Sequence, residues 1–81
     1  MIPFASFAEQ NYDKQLKDAI IKSKKLFNIG EEYDKFEHRV TSREGKTYFY
    51  LTWSDSKDKL GSIDVSITSD GTVISYGKWE P

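Results

Sequence analysis

The side chains that most often carry out catalysis are scarce in this sequence. His38 is the single histidine of the 81 residues, and there is no cysteine to act as a nucleophile, a thiolate ligand or half of a disulfide. Ser54, Ser62 and Ser69 fall near the ends of predicted strands and have no basic partner in the sequence pattern. His38 falls on the apolar face of a predicted strand, which favours a structural role. We therefore expect no catalytic residues and no enzymatic activity.

Carboxylates are the remaining candidates for metal binding. Asp55, Asp58 and Asp64 lie in or just after the polar segment 55–61, and oxygen ligands of this kind suit a hard cation. Their spacing does not match the calcium-binding loop of an EF-hand. The glycines stand apart from one another, so no phosphate-cradling run is present. We expect neither a metal nor a cofactor, and cation binding by the 55–61 loop stays open as an alternative.

The composition is typical of one small globular domain. Hydrophobic residues make up 37% of the chain and charged residues 31%, and an aromatic share of 15% favours folding. The net charge is −1, so no global field attracts nucleic acid or an anionic membrane. No apolar run is long enough for membrane insertion. The first ten residues lack the features of a secretory signal, which leaves open a cytoplasmic protein or a mature fragment.

One amphipathic helix is predicted over residues 13–27. Apolar or small side chains recur there every three or four positions. They are Leu16, Ala19, Ile20, Ser23, Leu26 and Phe27. Gly30 follows and is expected to stop the helix in a left-handed conformation.

The residues before this helix are assigned to an N-terminal arm. Residues 1–11 contain Pro3 and show no clear period, and Phe4 and Phe7 could pin the arm to the core. Residues 12–81 then form a single α+β domain.

After Gly30 the hydrophobic period falls to two, which indicates strands. Four are predicted, at 33–42, 47–54, 62–68 and 73–79. Glu44-Gly45 and Asp70-Gly71 suit two-residue hairpin turns, and 55–61 is a longer polar loop.

These turns fix the strand registers, and the registers separate two faces. Three rows of mostly apolar residues share one face, with Val73 on the other: Val40-Phe49-Ile67-Ile74, His38-Leu51-Val65-Tyr76 and Phe36-Trp53-Ile63-Lys78. A slip of one residue in any pair would mix the faces. The predicted fold is therefore α+β, with one N-terminal helix packed on one face of a four-stranded antiparallel meander of order 1-2-3-4.

The opposite face of the predicted sheet carries aromatic side chains beside small polar ones. Tyr48 and Tyr50 project from the second strand, Trp79 lies on the same face near the C-terminus, and Arg39 is their basic neighbour. Such aromatics can bind a protein, a peptide or a glycan, although ordinary cross-strand packing would also explain them. A platform for single-stranded nucleic acid would need more basic residues. These four residues are the candidate partner-binding site.

One ordered set of residues runs through the helix and the strands: Ala19, Leu26, Phe27, Ile29, Glu32–Phe36, Leu51–Ser54, Gly61–Ile67 and Asp70–Tyr76. This set, which covers about residues 13–76, resembles the PepSY-like domains, and most closely the YcdB/YcdC repeated domain of Gram-positive bacteria. The specificity of the resemblance lies in the ordered set rather than in any one motif.

The resemblance implies a location and a role that spacing alone does not. PepSY-like domains occur in secreted and cell-envelope proteins and in metallopeptidase propeptides, where they are thought to inhibit or chaperone the peptidase. The YcdB/YcdC type occurs as repeats without an assigned catalytic activity, so no active-site residues are implied.

We accordingly expect a non-catalytic interaction module that is secreted or in the cell envelope. One role open to such a module is that of a peptidase-inhibitory or propeptide-like unit. Its partner would be a protein, either a peptidase or neighbouring repeats of a longer chain, and not nucleic acid. The alternative is a self-associating structural repeat of a larger envelope protein.

Overall fold

The chain folds as one helix followed by four antiparallel strands. A computed structural model describes the backbone of residues 3–81 and the side chains of residues 12–81. The elements are α1 (Pro3–Leu26), β1 (Lys35–Arg43), β2 (Lys46–Ser54), β3 (Ser62–Thr68) and β4 (Val73–Trp79). The sheet order is β1-β2-β3-β4, and α1 packs against β2 and β3. The predicted α+β architecture is confirmed.

Helix α1 begins earlier than the sequence pattern predicts. It starts at Pro3 rather than Asp13, so residues 3–11 are part of the helix and not of the predicted arm. Proline suits the first helical position, because the amide hydrogen that it lacks would have no partner inside the helix. The predicted contacts of Phe4 and Phe7 with the core concern side chains outside the described residues. Among the residues described, no helix combines the length and the apolar character that crossing a bilayer requires.

The helix ends at a left-handed asparagine. Asn28 has a φ of 54°, and the amide of Ile29 donates to the carbonyl of Lys24 at 3.0 Å. This bond spans the last turn as in a Schellman motif. The predicted stop at Gly30 is therefore wrong by two positions, because asparagine tolerates the left-handed conformation better than most residues with a side chain.

The registers of the first three strands match the prediction. Phe49 of β2 pairs with Val40 of β1 on one side and with Ile67 of β3 on the other. Glu44 and Gly45 both have positive φ, at 52° and 79°, which is the geometry of a two-residue type I′ turn. The apolar rows over β1, β2 and β3 therefore share one face, as predicted.

The β3–β4 hairpin departs from the predicted two-residue turn. The amide of Gly71 donates to the Thr68 carbonyl at 3.0 Å, and the amide of Thr68 donates to the Thr72 carbonyl at 2.9 Å. Three residues, 69–71, therefore form the loop. The Asp70 carboxylate accepts hydrogen bonds from the Thr68 hydroxyl and from the Thr72 amide, which stabilises this longer loop.

A β-bulge in β4 then restores the predicted register. Ile67 pairs with Val73 and Ser66 pairs with Ser75, so Ile74 is the extra residue. Val73 packs against the core and Ile74 is 55% exposed, the reverse of the predicted placement. Beyond the bulge, Val65 pairs with Tyr76 as predicted.

The core lies between α1 and the two central strands. Its buried hydrophobic residues are Ala19, Ile29, Phe49, Leu51, Trp53, Ile63, Val65 and Ile67. At one flank the Phe27 ring stacks on Tyr76, with ring centroids 4.1 Å apart. By contrast, all nine side chains of β1 are exposed, including the apolar Phe36 and Val40. The helix therefore covers the middle of the sheet and leaves β1 outside the core.

Candidate protein-binding face

The sheet face turned away from α1, here called the outer face, holds the predicted site residues. The strand pairing places Arg39 of β1 directly opposite Tyr50 of β2, with Tyr48 next to Tyr50 along the same face. Trp79 of β4 pairs with Ser62 and shares this face. The alternation of side chains along each strand brings these residues to one side, and the bulge in β4 keeps Trp79 in the predicted register.

Both tyrosine rings lie under guanidinium groups. The Cζ atom of Arg39 is 5.6 Å from the centre of the Tyr50 ring, and that of Arg43 is 5.5 Å from the centre of the Tyr48 ring. At a half-exposed site each cation–π contact contributes about 0.5–1 kcal/mol. The contacts restrict the rings and keep the guanidinium groups over them. The outer face thus presents two arginine–tyrosine pairs, one directly opposite and one diagonal.

Trp79 is held on the same face by a short polar chain. Its indole Nε1 donates to Oδ2 of Asp64 at 3.0 Å, and the hydroxyl of Thr52 donates to Oδ1 of the same carboxylate at 2.9 Å. The Trp79 side chain is nevertheless 64% exposed. An indole fixed at one end and open along its faces is well suited to contact a partner, because little rotational entropy is lost on binding.

The structure brings together part of the predicted site. Arg39 and Tyr50 are in contact and Tyr48 is their neighbour. Trp79 lies two strands from β2 and, in the row of Ser54, four positions along from Tyr50, a backbone separation of about 17 Å. The site is therefore a broad face with two aromatic anchors rather than one cluster.

Two contributing residues were missed in the sequence. Arg43 lies diagonally from Tyr48 across the Glu44-Gly45 turn, and Asp64 orients Trp79. The predicted register set Asp64 diagonally from Trp79, so attention to diagonal pairs could have found that contact, whereas the predicted first strand ended at residue 42 and left Arg43 in the turn.

The outer face is shallow. One depression, with a volume of about 200 Å³, is lined by Glu37, His38, Arg39, Tyr50 and Thr52. Pockets that enclose small molecules are usually about 300–1,000 Å³. The shape suits the side chains of a macromolecular partner better than a small ligand.

The acidic loop that could have bound a cation uses its carboxylates for its own backbone. Asp55 accepts hydrogen bonds from the amides of Lys59 and Leu60, at 2.9 and 3.0 Å, and these bonds lower the pKa of its carboxyl group. Asp34 accepts from the amide and the hydroxyl of Ser56, which lowers its pKa in the same way. Across residues 12–81, no three acidic or histidine side chains converge as metal ligands would. These contacts favour a structural role for the loop.

His38 is exposed near the free edge of the sheet. Its ring stacks on Phe36 of the same strand, with centroids 5.9 Å apart and an interplanar angle of 18°. This contact is consistent with the structural role expected from the sequence.

Comparison with known proteins adds no relative. No family model matches the sequence, and neither the curated proteins nor the solved structures give a significant match. The resemblance to the PepSY-like domains therefore stays a prediction from the sequence pattern.

Proposed function

We propose that the protein is a non-catalytic interaction module, secreted or in the cell envelope, that binds a protein partner through the outer face. The observation that carries this proposal is the pair of arginine–tyrosine contacts, Arg39 with Tyr50 and Arg43 with Tyr48, on a face that the helix leaves uncovered. Tyrosine, tryptophan and arginine are the residues that most often dominate binding energy at protein interfaces.

The order of this face supports a binding role further. The rings of Tyr48 and Tyr50 are only partly exposed and are held by their arginines, and Trp79 is tethered to Asp64. Side chains ordered before binding lose less entropy in the complex. A partner that lies flat across β2 and β4 would contact both aromatic anchors at once.

The class of partner comes from the sequence resemblance. PepSY-like domains are associated with secreted and envelope proteins and with peptidase propeptides, which supports a peptidase as the partner and a location outside the cytoplasm. The shallow outer face agrees with a macromolecular ligand.

The double substitution Tyr48→Ser/Tyr50→Ser tests the proposal. Proteins of the extracellular fraction retained by the immobilised wild-type chain would be identified, and their affinity for the purified variants measured by calorimetry. We expect the double variant to lose affinity by about tenfold or more, since two anchors are removed.

The matched control is Ile21→Ser/Leu26→Ser, which also replaces two exposed apolar side chains (58% and 57% exposed) but lies on α1. It should retain partner affinity. If the tyrosine variant unfolds in circular dichroism, or binds as well as the wild type, the outer-face proposal is wrong.

A further inference from the structure

Within the described residues, strand β1 is a long and regular sheet edge, which α1 meets at Ser42, whose hydroxyl lies 3.3 Å from that of Tyr12. It pairs residue for residue with β2 from Lys35 to Arg43, and all nine of its side chains are exposed. The other edge strand, β4, is interrupted by the bulge at Ile74. Bulges obstruct further strand pairing, whereas a regular edge offers a template for it. An added strand would therefore pair with β1.

The type I′ turn determines which backbone groups of β1 are free. In a two-residue hairpin the residues next to the turn, Arg43 and Lys46, form a hydrogen-bonded pair, and such pairs alternate along the strands. The odd-numbered residues of β1 therefore bond to β2. The even-numbered residues Phe36, His38 and Val40 direct their amides and carbonyls towards the open edge.

A second copy of β1 matches this edge in one symmetric antiparallel register. With the two-fold axis at His38, Phe36 pairs with Val40 of the second copy. Both residues direct their amides and carbonyls to the open edge, so Phe36 and Val40 exchange backbone hydrogen bonds. On the outer face Glu37 then stands opposite Arg39 of the second copy. Symmetry produces each of these pairs twice.

Neighbouring registers are less favourable. An axis at Arg39 places two Arg39 side chains opposite each other, and an axis at Glu37 does the same with two carboxylates; like charges directly opposite are destabilising. An axis at Val40 leaves Phe36 without an apolar partner. The His38 register alone combines both ion pairs with both apolar pairs.

The exposed apolar residues of β1 give this pairing a driving force. Phe36 and Val40 are 37% and 36% exposed, beside the buried Trp53 and Phe49. In the His38 register they would continue the apolar rows of one sheet into those of the other. We propose that the protein forms a two-fold symmetric dimer in which two β1 strands pair antiparallel about His38, giving one eight-stranded sheet.

Charge reversal tests the register. Sedimentation equilibrium of the full chain should show a reversible dimer. Glu37→Arg places two arginines opposite each other, and Arg39→Glu places two glutamates opposite each other, so each should weaken dimerisation by about tenfold or more. The double variant Glu37→Arg/Arg39→Glu recreates opposite charges and should restore the dimer.

Lys78→Glu, an exposed charge reversal on β4, is the control and should leave the dimer intact. Circular dichroism checks that each variant is folded. A weak dimer with a dissociation constant of about 100 micromolar is half formed at about that concentration of chains. A wild type that is wholly monomeric at about 100 micromolar would therefore overturn the proposal. Dimeric single variants, or a double variant that stays monomeric, would overturn it as well. No binding partner is needed for the measurement, so its result is independent of the outer-face proposal.

Discussion

The indole Nε1 of Trp79 and the Oδ2 atom of Asp64 are joined by a hydrogen bond of 3.0 Å across two neighbouring strands. Trp79 is largely exposed, whereas the second tryptophan, Trp53, is 3% exposed and packed in the core. A soluble quencher such as iodide therefore reports selectively on Trp79. The two residues can be observed separately without removing either.

Asp64→Ala should release the Trp79 side chain without unfolding the domain. The indole loses its acceptor, so the fluorescence anisotropy of the iodide-quenchable component should fall while the quencher-resistant emission of Trp53 stays unchanged. Ser66→Ala, on the same face of the same strand, is the control and should behave as the wild type. Unchanged anisotropy in Asp64→Ala would mean that this hydrogen bond does not order Trp79.

Gly61→Ala should destabilise the protein more than Gly45→Ala. Both glycines have positive φ, 84° and 79°, so both substitutions cost about 1–2 kcal/mol for the left-handed backbone. A methyl group on Gly61 would also collide with the backbone carbonyl of Trp79, whereas the space around Gly45 is open.

Urea denaturation of the two glycine variants measures how much of the destabilisation comes from the clash with the Trp79 carbonyl. The free energy of unfolding should fall further in Gly61→Ala, by about 1 kcal/mol or more beyond the loss in Gly45→Ala. Equal losses would show that the end of β4 moves away from loop 55–61 at no cost.

Ser23→Ala should stabilise the protein. The Ser23 side chain of α1 is fully buried, and within the described residues its Oγ has no hydrogen-bond partner. Burial of an unsatisfied hydroxyl costs about 1–3 kcal/mol. Removal of the Ser23 hydroxyl should therefore raise the free energy of unfolding by about 1 kcal/mol.

The control for Ser23→Ala separates burial from helix propensity. Alanine is intrinsically the better helix former, by about 0.5 kcal/mol. Asp18→Ser and Asp18→Ala, compared at an exposed position of the same helix, measure that difference directly. A gain at Ser23 no larger than the gain at Asp18 would contradict the desolvation argument.

The stability of the protein should fall in acid. Hydrogen bonds hold the pKa values of Asp34, Asp55 and Asp70 below that of an ordinary aspartate. Groups of this kind stabilise the fold fully above the unfolded pKa, about 3.9, and the stabilisation is lost as the pH falls through the lower folded values. Melting temperature should therefore decrease below about pH 4.

Asp55→Asn should flatten this acid dependence. An amide oxygen accepts one of the two backbone bonds, from Lys59 and Leu60, but does not titrate. The variant should be less stable at pH 7 and lose less of its stability between pH 5 and 2. A profile parallel to that of the wild type would exclude Asp55 from the acid transition.

The sequence predicts the sheet well wherever local signals agree. Glu44-Gly45 suits a two-residue turn, although less strongly than Asp70-Gly71, and the apolar alternation around it favours the same register, so β1, β2 and β3 pair as expected. Asp70-Gly71 is compatible with loops of two or three residues. The choice is made by side-chain hydrogen bonds from Thr68 and Thr72 to Asp70, which no periodicity reveals.

The candidate site was predictable to the same extent. Correct registers placed Arg39 beside Tyr50, and their cation–π contact follows from that placement, whereas the contact of Arg43 with Tyr48 is diagonal and involves a residue beyond the predicted end of the first strand. The tether from Trp79 to Asp64 depends on side-chain rotamers and on the exact end of β4. Such details are set by tertiary packing and have no signature in hydrophobic alternation.

The bulge at Ile74 has a consequence for aggregation. A small sheet with two regular edges could elongate without limit, each added molecule exposing a fresh template for the next. Here Ile74 breaks the regularity of β4, while β1 pairs with β2 without a bulge. Once two molecules pair through β1, the edges left on the dimer are the bulged β4 strands. The assembly would therefore stop at two chains and filaments would not form.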